Sequence, residues 1–333
     1  MSESLPVNAD GVAPPTLDLT TLASFTTDRP LGWIRENRAR IDAALAEHGA
    51  LYFAGSGITD RRGFAAVRDA LFDSPAHYRE KATPRTDFGA GVYSSTDLPP
   101  SQDIRQHNEN SYTLTFPGKL LFGCLTPPET GGATTVADVR SVLGALPAHI
   151  RDRMAESGWR LARTYHESVG LPWPSAFGTD RKSDVEEYCV ANAIDCTWTE
   201  GTLRTAQVRP GVIRHPGTGQ RAWFNHAAFW SEWTLEEEIR EVLIEEFGHD
   251  GLPFATAYGD GSELRADDVA QINAAYETAT RRRPWRQGDL LLVDNLLSSH
   301  GRDAFTGRRD IVVAMGEQVA LADCATVPAV TAR

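Results

Sequence analysis

The sequence predicts an α+β fold: a jelly roll or sandwich of short strands with flanking helices and a long mixed helical and β insertion. Three observations point there. Helical patterns gather early, short β-branched and aromatic runs fill the middle, and two apolar strand-like runs come near the end. The order does not alternate strand and helix as a doubly wound sheet would. Neither a G-x-G-x-x-G nor a G-x-x-x-x-G-K-[ST] phosphate loop is present.

Taken in order, residues 1–20 have no basic n-region and no apolar core, and read as a disordered, proline-containing arm. Pro30 to His48 has helical periodicity and meets a stop at Gly49. Ala50 to Gly55 (ALYFAG) reads as a buried strand, and Arg61 to Phe72 as a helix. Lys119–Leu125 (KLLFGCL) and Ala133–Asp138 (ATTVAD) are strands separated by the turn chemistry of PPETGG. Val139 to Glu156 is a helix interrupted near Pro147. Residues 157–261 are expected to be an insertion acting as a lid. Within it Ser183-x-x-Glu186 and Thr234-x-x-Glu237 read as capping boxes, the second opening a helix that stops at Gly248. RTAQVRP, GVIRHP and RAWFN read as strands joined by a hairpin. Asp267 to Arg282 is the last helix, and Arg281, Arg282 and Arg283 would complement its dipole. Gly288–Asn295 and Asp310–Glu317 close the core as strands. A single catalytic unit is expected over 21–321 and a loose tail over 322–333.

A net charge of -12 argues against nucleic acid as a partner, because phosphate binding wants a basic face. No apolar run approaches the length of a membrane span. Cys124, Cys189, Cys196 and Cys324 form no C-x-x-C pair, which fits reduced thiols in a cytoplasmic protein.

The chemistry starts from Arg105–Gly123, RQHNENSYTLTFPGKLLFG, where His107 and Glu109 stand two residues apart. A chain with 9 His and 45 acidic residues would show about one His-x-Asp/Glu triplet by chance, and it shows one. The triplet therefore needs company. In an extended chain residues i and i+2 face the same side, so His107 and Glu109 could present an imidazole and a carboxylate to one ion. His300 is expected just past a strand, in a polar turn, and a strand with Arg309 near its start follows. Two His and one carboxylate from distant parts of a chain make the facial triad of non-haem Fe(II) oxygenases. Iron, one carboxylate and a bound 2-oxoglutarate dianion sum to one negative charge. The distal carboxylate of that cosubstrate then calls for a fixed cation, and arginine binds carboxylate bidentately.

HNENSY, PPETGGATTVAD, GDLLLVDN and SSHGRDAFTGRRDIVVAM together resemble the TauD/TfdA family of Fe(II)/2-oxoglutarate-dependent dioxygenases. The resemblance implies a double-stranded β-helix (jelly roll, cupin-like) core, with Fe(II) as cofactor and 2-oxoglutarate and O₂ as cosubstrates. It implies His107, Glu109 and His300 as metal ligands. It assigns the cosubstrate threonine to Thr134, in Gly131-Gly132-Ala133-Thr134, and the cosubstrate arginine to Arg309, with Arg308 as runner-up. RTAQVRPGVIRHPGTGQRAWFNHAAFW and EEYCVANAIDCTWTEG look like the branch that holds the syringomycin-pathway aspartyl hydroxylase. That branch implies an amino-acid substrate, free or presented on a peptidyl carrier protein, in antibiotic biosynthesis. Glu109 stands where related halogenases carry a small residue, which favours hydroxylation over chlorination. Asn110 and Ser111 are candidates to orient the Glu109 ligand. Asn225 and His226 are candidates to line the substrate pocket, as are Ser95 and Thr96 in YSST. Desaturation, epimerisation or cyclisation on the same cofactors remain alternatives. A zinc hydrolase is disfavoured for want of a general base, and a non-catalytic cupin-like binding protein stands behind it. Whether the chain forms a homo-oligomer is left open.

Overall fold

The computed structural model describes residues 4–27, 30–76, 80, 85–95 and 97–324. Two sheets face each other. The larger has the strand order Thr16–Asp18, Ala50–Ala54, Leu290–Asp294, Thr115–Thr126, Asp310–Ala320, Tyr93–Ser94. The smaller runs Thr280–Arg281, Thr134–Asp138, Ser298–Arg302, Ile104–His107. Within the two sheets every pairing is antiparallel except that of Thr16–Asp18 with Ala50–Ala54. This is the jelly-roll core that the strand-rich pattern predicts.

The period-2 alternation of the apolar runs explains why the larger sheet is covered on both faces. Leu120, Phe122 and Cys124 share one cluster with Leu291, Val293, Ile311, Val313 and, from the smaller sheet, Val136. Their neighbours Leu121, Leu290, Leu292, Val312 and Ala314 belong to a second cluster with Trp33, Ile41, Leu45, Phe64 and Val67 of the N-terminal helices. The inner face packs sheet on sheet and the outer face packs sheet on helix.

The first helical pattern divides at Asn37 into Pro30–Glu36 and Arg38–His48. Asn37 turns its side chain back onto the Trp33 carbonyl (2.9 Å), and Gly49 ends the second helix in the left-handed region, φ 75°. Val139–Ala145 and Ala148–Ser157 meet at Pro147, as its missing N–H predicts. The segment 157–261 carries its own antiparallel sheet, in the order Phe254–Tyr258, Trp159–Tyr165, Thr202–Arg209, Asp195–Thr199.

Several expectations are corrected. Residues within 1–20 are not a loose arm throughout: Thr16–Asp18 adds a parallel strand to the larger sheet, and Leu5, Leu17 and Leu19 are buried. Of the tail, Leu321–Asp323 forms a 3₁₀ turn and Cys324 is buried, while residues 325–333 lie outside the described ones. Neither capping box forms. The helix Lys182–Ala191 already contains Ser183, and Arg181 precedes it without a side-chain cap. Thr234 belongs to the 3₁₀ turn Glu232–Thr234 and donates instead to the Ala228 carbonyl. GVIRHP and RAWFN do pair as a hairpin, but RTAQVRP pairs elsewhere, with Trp159–Tyr165 and Asp195–Thr199. The last helix ends at Ala279. Arg281 is in a strand, Arg282 pairs with Glu277 and Asp303, and Arg283 lies over the Tyr52 ring. Among the described residues no helix is long and apolar enough to cross a membrane.

Candidate metal centre and cosubstrate pocket

The strand Ser298–Arg302 lies between Thr134–Asp138 and Ile104–His107, with both of its edges paired. The expected polar turn around His300 is therefore a buried strand. Register sets His300 opposite His107, and the two rings stand 4.3 Å apart, centroid to centroid. Gly301 permits the approach: a Cβ there would lie 2.5 Å from the Ile104 carbonyl oxygen and 2.9 Å from Thr135 Oγ1.

His107 ends its strand and Glu109 sits in the following turn, so strand alternation alone does not align them. Asn295 does the work of holding Glu109 in place. Its Oδ1 accepts from Glu109 N at 2.7 Å, and its Nδ2 donates to the carbonyls of Glu109 (2.9 Å) and Pro117 (2.8 Å). Asn108 turns away and donates to the carbonyls of Asn295 and Ser298. One ligand-capable atom from each of His107, Glu109 and His300 then lies within 4.8 Å of the others. Among the described residues this is the one such group.

The donors suit a divalent ion. His107 Nδ1 lies 2.9 Å from the Arg105 carbonyl, which can only accept, so Nδ1 carries the proton and Nε2 is left as a ligand. His300 Nε2 faces Glu109 Oε2 at 3.6 Å. Two donors each about 2.1 Å from one ion at a right angle stand about 3 Å apart, so closing this gap asks for sub-ångström movement. Burial, then the neighbouring His300, pushes the His107 pKa down to about 3, so the imidazole is neutral as a ligand must be. Burial alone would raise the Glu109 pKa. The Arg85 guanidinium and the neighbouring His300 outweigh it and hold the carboxyl ionised, well below its usual range. Arg85 Nη2 donates to Glu109 Oε2 at 2.7 Å, and its Nη1 to the Ser95 carbonyl at 2.7 Å.

Beside the triad is a small pocket lined by Ser95, Ile104, His107, Phe122, Thr134, His300, Gly301, Arg302 and Arg309. Arg309 is spread across it. Its Nε donates to the Gly132 carbonyl (2.9 Å), Nη1 to Ser95 Oγ (2.9 Å) and Nη2 to Thr134 Oγ1 (3.3 Å). Trp285 Nε1 also donates to Thr134 Oγ1, at 3.2 Å. Burial, then the nearby Arg302, lowers the Arg309 pKa to about 9, so this cation is short of a compensating anion. Arg308 is exposed and lines no part of the pocket.

The other candidates divide. Ser95 is in the pocket, and Thr96 lies outside the described residues. Neither Asn110 nor Ser111 is bonded to the Glu109 carboxylate among the described residues. Asn110, at φ 55°, accepts from the Tyr112 hydroxyl, and Ser111 Oγ pairs with His226 Nδ1 at 2.6 Å. Asn225 is spent on backbone, bonding the Gly211 carbonyl and Ala227 N. His226 stays beside the metal ligands, its ring 5.5 Å from that of His107 and stacked on Trp230 at 4.3 Å. Sequence reasoning missed Asn108, Asn295, Arg85 and Arg302. Arg302 was within its reach, because it follows His300 by two along one strand and so shares its face.

The family model described as "Taurine catabolism dioxygenase TauD, TfdA family" matches residues 12–315. The dapdiamide synthesis protein DdaC of Enterobacter agglomerans is 38% identical over 280 residues, covering 84% of this chain and 85% of that protein. A clavaminate synthase-like protein of Arabidopsis thaliana is 28% identical over 295 residues, covering 85% and 86%. Among solved structures is PvcB, an Fe, alpha-ketoglutarate dependent oxygenase from an isonitrile synthetic pathway. It superposes with a TM-score of 0.53 at 16% identity, over 92% of this chain and 88% of that one, a likeness of fold alone.

Proposed function

We propose, from the premise that the chain belongs to the TauD/TfdA family of dioxygenases, that it hydroxylates an unactivated C–H bond of an amino acid. The amino acid is free or tethered to a carrier protein, and the setting is specialised, peptide natural product metabolism. The enzyme class is an Fe(II)/2-oxoglutarate-dependent dioxygenase, with O₂ as the second cosubstrate. The observation that carries the reading is the convergence of His107, Glu109 and His300 beside a pocket that ends in Arg309, Thr134 and Ser95. The relative named for dapdiamide synthesis supports the biosynthetic setting.

Iron with 2-oxoglutarate and O₂ supplies the oxidant that exchanges a C–H hydrogen for hydroxyl, 2-oxoglutarate leaving as succinate and CO₂. The protein's part is placement. His107 Nε2, the Glu109 carboxylate and His300 Nε2 would hold the ion on one face. Arg309, with the Thr134 and Ser95 hydroxyls, would fix the distal carboxylate of 2-oxoglutarate. Phe122, 5.4 Å from the His300 ring, and Phe229, 4.9 Å from the His107 ring, pack against the ligands and keep water off them. Glu109 keeps a carboxylate at the third ligand position, which favours hydroxylation over chlorination.

The test is anaerobic titration with Fe(II) and 2-oxoglutarate, followed by mass spectrometry of free and carrier-loaded amino acids in air. A weak visible charge-transfer band, lost in His300→Ala, and a +16 Da product are expected. A band that survives His300→Ala, or a product only from a non-amino acid, refutes the reading.

A further inference from the structure

Arg163, in the strand Trp159–Tyr165 of the insertion, is 3% exposed, and its Nη1 has no hydrogen-bond partner among the described residues. Its nearest carboxylate oxygen, Glu80 Oε1, is 3.8 Å away, too far for a hydrogen bond. The guanidinium is otherwise held between two rings, 4.5 Å from the Tyr165 centroid and 5.0 Å from that of Phe254. A buried cation in this condition is costly unless something completes its bonding.

The local charge is also unbalanced. Burial raises the Glu80 pKa, and two cations, Arg163 and Arg209, oppose that shift. Arg209 is spent structurally, donating to the carbonyls of Tyr112, Val208 and Asn192. Glu80 Oε2 accepts from the Tyr188 hydroxyl at 3.1 Å. Among the described residues, one carboxylate against two buried guanidiniums leaves a surplus positive charge, and the cation with open bonding capacity is Arg163.

The position is joined to the metal site by an aromatic wall. His226 lies beside His107 and stacks on Trp230, and Trp230 stacks on Phe254 at 4.8 Å with a 13° interplanar angle. Phe254 then touches Arg163. On a second route Tyr112 packs edge-on to His226 at 5.4 Å and donates its hydroxyl to the Glu80 carbonyl at 2.9 Å.

We infer that Arg163 anchors the α-carboxylate of a free amino-acid substrate, Glu80 neutralising one of the two buried cations and the aromatic wall guiding the substrate's other end to the iron. This rests on the amino-acid reading above and narrows it, since a carrier thioester has no α-carboxylate to offer. A planar fork with open donors binds a carboxylate with two parallel bonds and binds a neutral carboxamide far less well.

The experiment is anaerobic calorimetry of the Fe(II)–2-oxoglutarate enzyme. The probes are L-amino acids and simple aliphatic and aryl carboxylic acids, each paired with its primary carboxamide, together with aminoacyl carrier protein. The wild type is expected to bind at least one amino acid about 30-fold more tightly than its carboxamide. Arg163→Gln is expected to bind the two alike, with its iron–cosubstrate band unchanged, and Arg163→Lys to recover part of the preference. The wild-type comparison needs no variant, so it decides the matter even if Arg163→Gln does not fold. Equal binding of acid and carboxamide, no binding by any acid, or tighter binding of the carrier thioester overturns the anchor. A carboxylate preference shown only by acids without an amino group leaves the anchor standing and refutes the amino-acid reading instead.

Discussion

Replacing Arg309 tests the proposed cosubstrate pocket most directly. Its three bonds, to the Gly132 carbonyl, Ser95 Oγ and Thr134 Oγ1, fix the guanidinium so that charge and two hydroxyls converge on one spot. A hydrogen bond to a charged group contributes about 1.5–3 kcal/mol. Leaving a buried carboxylate without its cation costs about 3–5 kcal/mol. Arg309→Ala is therefore expected to raise the Kd of 2-oxoglutarate by about 10²-fold to several thousandfold. Arg309→Lys keeps the charge but loses the fork, and a loss of about 2 kcal/mol corresponds to roughly 30-fold. Exposed Arg308 serves as the internal control, and Arg308→Ala is expected to change nothing. The assay is anaerobic titration of the Fe(II) protein with 2-oxoglutarate, read from the visible charge-transfer band. The assignment fails if Arg309→Ala titrates like the wild type, or if the loss follows Arg308 instead.

Two further substitutions probe how the ligands are held. Asn295→Ala removes three buried bonds around Glu109 and Pro117 and leaves their backbone groups unpaired. With about 1–3 kcal/mol lost per unsatisfied group, unfolding in urea is expected to show a loss of at least about 3 kcal/mol. Iron affinity should fall about 10- to 100-fold, and a folded variant with unchanged iron affinity would contradict the role given to Asn295. Gly301→Ala places a methyl 2.5 Å from the Ile104 carbonyl oxygen and must push apart the strands that carry His300 and His107. Iron binding is expected to weaken at least about tenfold while far-UV circular dichroism keeps the sheet signal. Retained iron affinity would show that the close approach of these strands is not what aligns the ligands.

The parts of this molecule that are legible in its sequence are those whose physics is local. GDLLLVDN and DIVVAMGE announce strands because their apolar side chains alternate between two buried faces, and the structure uses both faces. Pro147 and Gly49 announce helix boundaries because a missing N–H and a left-handed φ act within one turn. The capping boxes misled because a Ser or Thr three residues before a Glu is only a permission. Thr234 had a better acceptor in the Ala228 carbonyl, six residues back.

Glu109 shows where local reading stops. The triplet suggested that two residues in an extended chain would face one ion, but the chain leaves its strand at His107. The aim of Glu109 is set from outside the triplet, by Asn295, which lies 186 residues further along, and by Arg85, 24 residues before it. Asn295 appeared only as the polar close of a strand, and nothing around Arg85 marks it as the partner of a metal ligand. The candidate ligands were named from the motifs around them and the family those motifs resemble, since the triplet alone is a chance match. Their orientation belongs to contacts between distant segments, so it becomes visible only when the sheets have closed. The same holds for Arg163: along the chain it is one arginine among many, and its open bonding capacity exists only once Glu80, Tyr165 and Phe254 surround it.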